Sequence, residues 1–260
     1  MLTDRERGGA GRIVVLALVA GLAAALVYWL STQGADAQTS WDLTTALVLA
    51  AIGAGAGAAV GSGAALARWT TWESILAAVL SGVIGVLFWA WGLTAWKAME
   101  IVQVAVPGYG IAIADILYGF WFLAAVLVPY IVRKPGAAVA AEVVASIVSS
   151  LLGSEWGLTV LISGLVQGGL AEIVFAARGY RHYDLGTLIV AAAAAAVGSW
   201  VVDYAFWYST LEPQILALML VARIFSAAVL AGLLGKVLSD ALARTGVLDN
   251  TALGRERMGG

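Results

Sequence analysis

Charged side chains lie inside long apolar stretches of this 260-residue sequence. Four are acids, one is a base, and a neutral amide joins them: Asp115, Glu142, Glu172, Asp203, Arg223 and Gln167. Ionisable groups at membrane depth are costly and usually face a bundle interior or a cavity. The excess of acids favours a cationic ligand, or protons carried on the carboxylates, and would repel an anion.

Helical spacing gathers these groups into stripes with serine, aromatic and glycine residues. Glu142, Ser146 and Ser149 recur at intervals that place them on one polar face of an apolar helix. Gly164 and Gly168 would let a ligand or a neighbouring helix approach Gln167 closely. Carboxylates accompany aromatic residues in two further stripes, which are Ser199, Trp200, Asp203 and Trp207, and Asp115, Tyr118 and Trp121.

Each of these patterns also has a purely structural interpretation. Aromatic residues near span ends more often form an interfacial belt than a ligand cage. Glu172 and Arg223 could pair and lock two helices instead of supporting a ligand. Glu142 and Gln167 are the stronger candidates, because each lies about 11 residues, roughly 16 Å, inward from the outer end of its span. Neither therefore lies at an interface where water could solvate it. The sequence contains no catalytic set or metal cluster that we would defend, so we expect neither an enzyme nor a cofactor.

The elements that position these residues are predicted to be membrane helices. The mean hydropathy is +0.94, and charged residues make up 12% of the chain. Apolar runs close to the ~20 residues needed to cross a bilayer recur along it. We therefore predict an all-α integral membrane protein with eight spans, at about 13–30, 43–67, 73–93, 111–132, 137–153, 156–178, 185–208 and 212–238.

Lys and Arg positions predict the orientation of these spans. Of the fourteen basic residues, all except Lys97 and Arg223 fall on one side. Cytoplasmic loops are enriched in Lys and Arg, so we expect a multi-pass plasma-membrane protein with both termini in the cytoplasm. The first span has an alternative interpretation as a signal peptide, with Ala35-Asp36-Ala37 as the cleavage site. The orientation of the other spans would not change.

Small residues line the third predicted span. They are Ala77, Ser81 and Gly85 at intervals of four, with Ala78 and Gly82 beside them. Such stripes let helices approach closely in lipid. The stripe alone favours internal packing over docking of a partner helix. Because the sequence contains no nucleotide-binding motif, energy for active transport would come from another subunit.

From about Thr70 to Gly254 the sequence resembles the YkoE family, the substrate-binding S components of energy-coupling-factor (ECF) vitamin transporters. The resemblance is carried by several ordered stretches rather than by one motif. These are 118–122 (YGFWF), 133–138 (RKPGAA) followed by Glu142, 164–168 (GLVQG) leading to 171–175 (AEIVF), Arg223, 231–236 (AGLLGK), Ser239-Asp240 and 245–248 (TGVL).

The resemblance implies a six-helix substrate-binding domain at 70–240, preceded by two extra transmembrane helices within 1–69. Residues 241–260 would form a cytoplasmic tail. It also implies that thiamin, or its hydroxymethylpyrimidine precursor, is captured from outside for ATP-driven uptake. A transmembrane T component and two cytosolic ABC-type ATPases would be the partners. In this family the small-residue stripe docks the T component, which makes Ala77, Ser81 and Gly85, or Ala78 and Gly82, the docking candidates.

A thiamin-like ligand would fit the polar residues in a definite way. Glu142 and Gln167 would bind the pyrimidine edge, and Asp115 or Asp203 would balance the thiazolium cation. Aromatic faces attract such a cation, and the candidate stacking surfaces are Trp89, Tyr118, Trp156 and Trp200.

Two other classes of function remain open from the residues. One is a stand-alone permease driven by protons or cations, with Glu142, Glu172 and Asp203 as its relay. The other is an assembly subunit without a ligand. Accumulation of solute by the chain alone would distinguish the permease, because an S component by itself only binds.

Overall fold

The computed structural model describes residues 69–157 and 159–259, together with Gly53, Ala54, Gly57 and Gly61. Within this part of the chain the regular structure is entirely helical. The predicted spans at 13–30 and 43–67 lie outside the described residues, apart from those four positions. The signal-peptide alternative lies outside them as well.

Among the described residues, six helices build a bundle and a seventh follows it. Their bounds are α1, Thr71–Ala105; α2, Gly110–Val132; α3, Ala137–Leu151; α4, Thr159–Ala177; α5, Leu185–Tyr208; α6, Pro213–Arg244; and α7, Ala252–Met258. In the described part of the chain, α1, α2, α4, α5 and α6 are long and apolar enough to cross a membrane, and α3 is a shorter apolar helix. The main difference from the predicted spans is that α1 continues past residue 93 to Ala105.

Local sequence determines where several helices begin. Thr70 and Glu73 form a capping box at the start of α1, in which the Thr70 hydroxyl accepts from Glu73 N and the Thr70 amide donates to the Glu73 carboxylate. The Asp184 carboxylate caps α5 by accepting from Thr187 N at 3.1 Å. This backbone hydrogen bond lowers the pKa of Asp184. Pro213 is the first residue of α6, where its missing N–H costs nothing.

Four segments depart from regular α-helix. They are π-helical turns at Gly92–Trp96, Tyr204–Tyr208 and Ala227–Leu233, and a 3₁₀ segment at Asp115–Phe122. Segments of this kind rotate the following side chains relative to a regular helix and are frequent at functional sites. Three of them contain five of the seven aromatic residues that line the cavity described below.

The turn between α2 and α3 uses the residues of the RKPGAA motif. Arg133 ends α2 in the left-handed region with φ 54°, and Gly136 precedes α3 with φ 89°. Pro135 between them cannot continue a helix. The motif therefore reverses the chain within four residues and starts α3 directly beside α2.

Glycines set the closest helix contacts in the bundle. A Cβ at Gly119 of α2 would overlap the Ser226 carbonyl group of α6. The same two helices are joined by the Ser226 hydroxyl, which accepts from Gly119 N at 2.8 Å and donates to Ile116 O at 2.6 Å. The 3₁₀ segment of α2 is thus held against α6 by direct backbone contact.

The small-residue stripe of α1 divides between two faces. Ala77 and Ser81 are buried, and a Cβ at Gly85 would lie 2.6 Å from Ala145 O of α3. Gly85 therefore packs α1 against α3, and this packing together with the burial of Ala77 and Ser81 does not favour docking of a partner through these three residues. Ala78 is exposed, and a Cβ at Gly82 would meet nothing within 4 Å. Only this second pair remains available to another helix.

The C-terminal residues pack on the end of the bundle that carries Arg133, here called the basic end. Leu248 and Leu253 are buried in the hydrophobic core. Glu256 of α7 forms an ion pair with Arg133. Residues 245–259 therefore cover part of the basic end.

We predict that Gly119→Ala destabilises the bundle by about 3 kcal/mol, because the new methyl group overlaps the α6 backbone. The measurement is thermal unfolding of the purified protein in detergent. Gly82→Ala is the matched control, since its methyl group enters open space and alanine favours a helix. Equal unfolding midpoints for the two variants would contradict the close α2–α6 contact.

Candidate ligand-binding cavity

A cavity of about 180 Å³ lies within the bundle. A single water molecule needs only about 10–15 Å³ of such space, so the cavity can hold a small organic molecule. Its wall comes from α1 to α5 and from the connection between α3 and α4. The lining residues are Phe88, Trp96, Tyr118, Trp121, Glu142, Ser146, Ser149, Ser154, Trp156, Thr159, Val160, Ser163, Gln167, Asp203, Trp207 and Tyr208.

One wall of the cavity is polar. It consists of Glu142, Ser146 and Ser149 from α3 and Ser163 and Gln167 from α4. The shared polar face that helical spacing predicted for the three α3 residues therefore lines the cavity. Glycines bring the two helices together here, because a Cβ at Gly168 would lie 2.9 Å from Ala138 O and 2.9 Å from the Glu142 Cβ. We shall call these five cavity-lining residues the polar wall.

Glu142 is held in place at one carboxylate oxygen. The residue is 1% exposed, and its Oε2 accepts from Ala125 N at 2.8 Å. Ala125 lies near the start of the α-helical part of α2, where backbone N–H groups lack helical partners. Within the described residues no Lys or Arg pairs with Glu142, so its second oxygen is available to a ligand. The Gln167 side chain likewise makes no hydrogen bond to another described residue.

The opposite wall is aromatic. Trp121 lies 5.0 Å from Trp96, 5.3 Å from Trp156 and 5.1 Å from Tyr118, measured between ring centroids. The interplanar angles for these three pairs are 70°, 81° and 68°, so the rings meet edge to face. The faces of such rings attract cations. We shall call these four residues the aromatic cage.

A buried ion-pair cluster lies behind the cage. Arg223 of α6 donates to both Asp115 oxygens at 3.1 Å and to Asp203 Oδ2 at 2.7 Å. Its guanidinium also donates to Ser199 Oγ and lies 3.6 Å above the Tyr118 ring. One cation thus faces two carboxylates and ties α2 and α5 to α6. Asp203 also lines the cavity, whereas Asp115 is fully engaged by Arg223.

Glu172 has a different set of partners, so the suggested pairing of Glu172 with Arg223 is wrong. The Glu172 carboxylate accepts from Gly136 N at 2.6 Å, from Ala138 N at 2.9 Å and from the Tyr180 hydroxyl at 2.5 Å. Two of these donors are backbone N–H groups at the start of α3, from its N-cap residue Gly136 and from Ala138 in its first turn, and a carboxylate is favourable at a helix N-terminus. Glu172 therefore anchors the start of the helix that carries Glu142.

The candidate residues differ in where the structure places them. Five of them line the cavity: Tyr118, Glu142, Trp156, Gln167 and Asp203. Trp89 and Trp200 lie outside the lining, so the cavity does not support their predicted role as stacking surfaces. The Trp200 indole donates to Leu216 O at 3.1 Å and stacks on Tyr204.

Sequence reasoning did not assign two residues of the aromatic cage, Trp96 and Trp121, to the site. Trp96 lies beyond residue 93, the predicted end of its span. In the structure, it belongs to the π turn of α1, which carries its side chain inward, and it is 7% exposed. Trp121 was grouped with Asp115 and Tyr118 but not assigned to the site. The signal in the sequence is its spacing, because Asp115, Tyr118 and Trp121 recur at intervals of three.

Comparison of this helical architecture with known proteins identifies a membrane transport subunit rather than an enzyme. The fold matches the crystal structure of an S component of an ECF transporter with a TM-score of 0.68 and 37% sequence identity, covering 74% of this chain and 94% of that one. This protein is therefore a multi-pass membrane protein with the S-component fold.

Two sequence comparisons identify the family more closely. Residues 72–198 match the family described as the permease component of an ABC-type cobalt transport system. YkoE of Bacillus subtilis (strain 168), named as an HMP/thiamine permease protein, is 39% identical over 185 residues, which are 63% of this chain and 93% of YkoE. The chain belongs to the YkoE family of ECF S components, as the sequence motifs indicated.

We predict that Arg223→Gln lowers the free energy of unfolding by about 3–5 kcal/mol, because two buried carboxylates lose their only cation. Thermal unfolding in detergent measures this loss, and Arg181→Gln on the exposed surface is the control. Adding Asp115→Asn and Asp203→Asn removes the buried charges and should recover part of the stability. An unchanged midpoint for Arg223→Gln alone would show that the cluster contributes little.

Proposed function

We propose that this chain binds thiamin, or its hydroxymethylpyrimidine precursor, as the substrate-specific subunit of an ATP-driven importer. The observation that carries the proposal is the pairing of the polar wall with the aromatic cage around one cavity. Thiamin has the matching halves, namely an aminopyrimidine with donor and acceptor edges and a permanently cationic thiazolium ring. The name of the YkoE relative supports the same ligand class.

The polar wall supplies the groups that an aminopyrimidine needs. The free oxygen of Glu142 can accept a hydrogen bond from the exocyclic amino group, and a bond to a carboxylate is stronger than one between neutral groups. The Gln167 amide offers a donor and an acceptor for the ring nitrogens. Both side chains are nearly buried, at 1% and 4% exposed. A ligand would therefore restore hydrogen bonds where water has little access.

The aromatic cage and Asp203 suit the cationic half of the ligand. Arg223 already occupies one face of Tyr118 and both oxygens of Asp115. The indole faces of Trp96, Trp121 and Trp156 are thus better placed for the thiazolium ring than Tyr118. Asp203 uses one oxygen for Arg223 and borders the cavity, so it can balance the positive charge. Asp115 supports the site through Arg223 rather than by touching the ligand.

The donor atoms favour an organic cation over a metal ion as cargo. Among the described residues, no group of three or more His, Cys, Asp or Glu side chains is arranged to hold a metal. The cavity instead combines two carboxylates with indole rings and hydroxyl groups. Such a lining binds a heterocycle by stacking and hydrogen bonding.

The distribution of charge supports entry of the ligand from outside. Trp96 and Trp156 of the cage are adjacent in sequence to Lys97 and Glu155, at the end of the bundle opposite Arg133. The basic end would face the cytoplasm of the cell by the positive-inside rule. The cavity would then open toward the exterior, and both termini would be cytoplasmic.

Partner subunits are expected to supply the energy and to bind α1. Ala78 and Gly82 lie on the outward face of α1, flanked by the exposed side chains of Ile75 and Val79. A small-residue groove between larger apolar residues lets another membrane helix approach closely. We propose that a T component docks on this groove and that ATPase subunits bind through it.

The proposal is tested by calorimetric titration of the detergent-purified chain with thiamin and with hydroxymethylpyrimidine. We expect submicromolar binding without any partner. Glu142→Ala should weaken binding by about 2 kcal/mol, or roughly 30-fold in Kd, because a desolvated ligand donor loses its acceptor. Trp89→Phe, outside the cavity, should leave the Kd unchanged.

Two outcomes would contradict the proposal. Absence of binding to either compound by a folded, monodisperse chain would reject the assignment of ligand. Accumulation of thiamin under an ion gradient in vesicles that contain only this chain would instead support a stand-alone permease.

We predict that Gly82→Leu blocks assembly with the T component while leaving the Kd for ligand unchanged, because the new side chain fills the α1 groove. Co-purification of the co-expressed subunits measures assembly. Val221→Leu, at an exposed position of α6, is the matched control for added apolar bulk. Normal assembly of Gly82→Leu would exclude this face as the docking surface.

A further inference from the structure

An ion pair joins α1 to the connection between α3 and α4. Lys97 Nζ lies 2.5 Å from Glu155 Oε2 and 2.7 Å from Glu100 Oε1. Lys97 is the only Lys or Arg between residues 69 and 132, and there is none between 135 and 177. The contact between Lys97 and Glu155 therefore has no basic substitute in this part of the chain.

Glu155 belongs to a short segment that also carries part of the cavity wall. Ser154 and Trp156, on either side of it, both line the cavity. Gly153 and Gly157 bound these three residues with φ values of 91° and 57°, a region that glycine adopts without strain. The three residues between the glycines thus form a compact unit, which we call the Trp156 segment.

Trp156 closes one side of the cage by lying against α1. Its ring centroid is 6.2 Å from that of Trp96 and 5.3 Å from that of Trp121. A Cβ at Gly92 would lie 3.4 Å from the Trp156 ring, an ordinary van der Waals distance, so the indole packs directly beside α1. The Ser154 hydroxyl is buried without a hydrogen-bond partner in the described structure, although it borders the cavity. Hydrogen bonds tie the segment to α3 and α4, from Ser154 N to Ser149 O at 3.2 Å and from Thr159 Oγ1 to Trp156 O at 2.6 Å. Its contacts with α1 are the packing of Trp156 and the Lys97–Glu155 ion pair.

We infer that the Lys97–Glu155 ion pair is a latch that positions Trp156 over the cavity and sets how fast molecules enter and leave. The inference rests on the cavity assigned under the proposed function. The Lys97 and Glu155 side chains are 41% and 38% exposed, and exposed ion pairs are weak. A weak contact suits a wall that must open at each exchange. Glu100, one helical turn from Lys97, keeps the ammonium group in place when the latch opens.

The latch can be tested without any ligand, because the chain contains no cysteine. Ser163→Cys places a single thiol on the polar wall, and its modification by a small methanethiosulfonate reagent reports access to the cavity. We expect Glu155→Gln to raise the labelling rate about two- to five-fold, the range that an exposed ion pair supplies. Glu100→Gln is the matched control and should leave the rate unchanged.

Ionic strength separates a latch from a general loss of structure. Salt screens exposed charges, so raising it should accelerate labelling with the ion pair intact but not in the Glu155→Gln background. Ser149→Cys provides a second reporter on α3 if the first thiol disturbs folding. Trp156→Ala should accelerate labelling in both backgrounds and shows that the reporter responds.

Equal labelling rates with and without Glu155→Gln, at low and high salt, would overturn the latch, provided that Trp156→Ala still accelerates the reaction. Packing of Trp156 alone would then hold the wall. Because the assay contains no thiamin, this result leaves the proposed function untouched. Failure of thiamin to bind would reject that function without changing the labelling rates.

Discussion

The buried guanidinium of Arg223 is the interaction on which the ligand site depends. It joins α2, α5 and α6 through Asp115 and Asp203, and all three groups are nearly inaccessible to solvent. An uncompensated charge at this depth would cost several kcal/mol, so the three helices are constrained to one mutual arrangement. The 3₁₀ segment that carries Tyr118 and Trp121 lies within that arrangement. The geometry of the aromatic cage therefore follows from an ion pair that the ligand need not touch.

The polar wall depends on a separate set of contacts. Glu172 accepts from the backbone N–H groups of Gly136 and Ala138 at the start of α3, and Gly168 allows α4 to reach the backbone of the same helix. Glu142 then crosses to α2 and accepts from Ala125 N. Each of these hydrogen bonds is costly to lose, because a buried donor or acceptor without a partner keeps its full desolvation penalty. The wall and the cage are thus built by independent contacts that meet at α2.

The separate contacts that build the polar wall and the aromatic cage also place negative charge on both. A formal count of one cation against two carboxylates leaves the Arg223 cluster with a surplus of negative charge beside the indoles. Glu142 adds a further carboxylate on the opposite wall. Under the proposed function, a cationic heterocycle would be attracted by both sets of carboxylates, and the hydrogen-bonding groups of the polar wall would bind its neutral edge.

The amino-acid sequence by itself determined the membrane class, the five long helices of the described part of the chain, the polar face of α3 and the family. These properties depend on hydropathy and helical spacing, which are local and periodic. Only the tertiary structure decided that Arg223 pairs with Asp115 and Asp203 rather than Glu172, that Trp96 enters the cage, and that Gly85 faces inward. Each outcome depends on the rotation of one helix against another, and π turns change that rotation without leaving a periodic signal in the sequence.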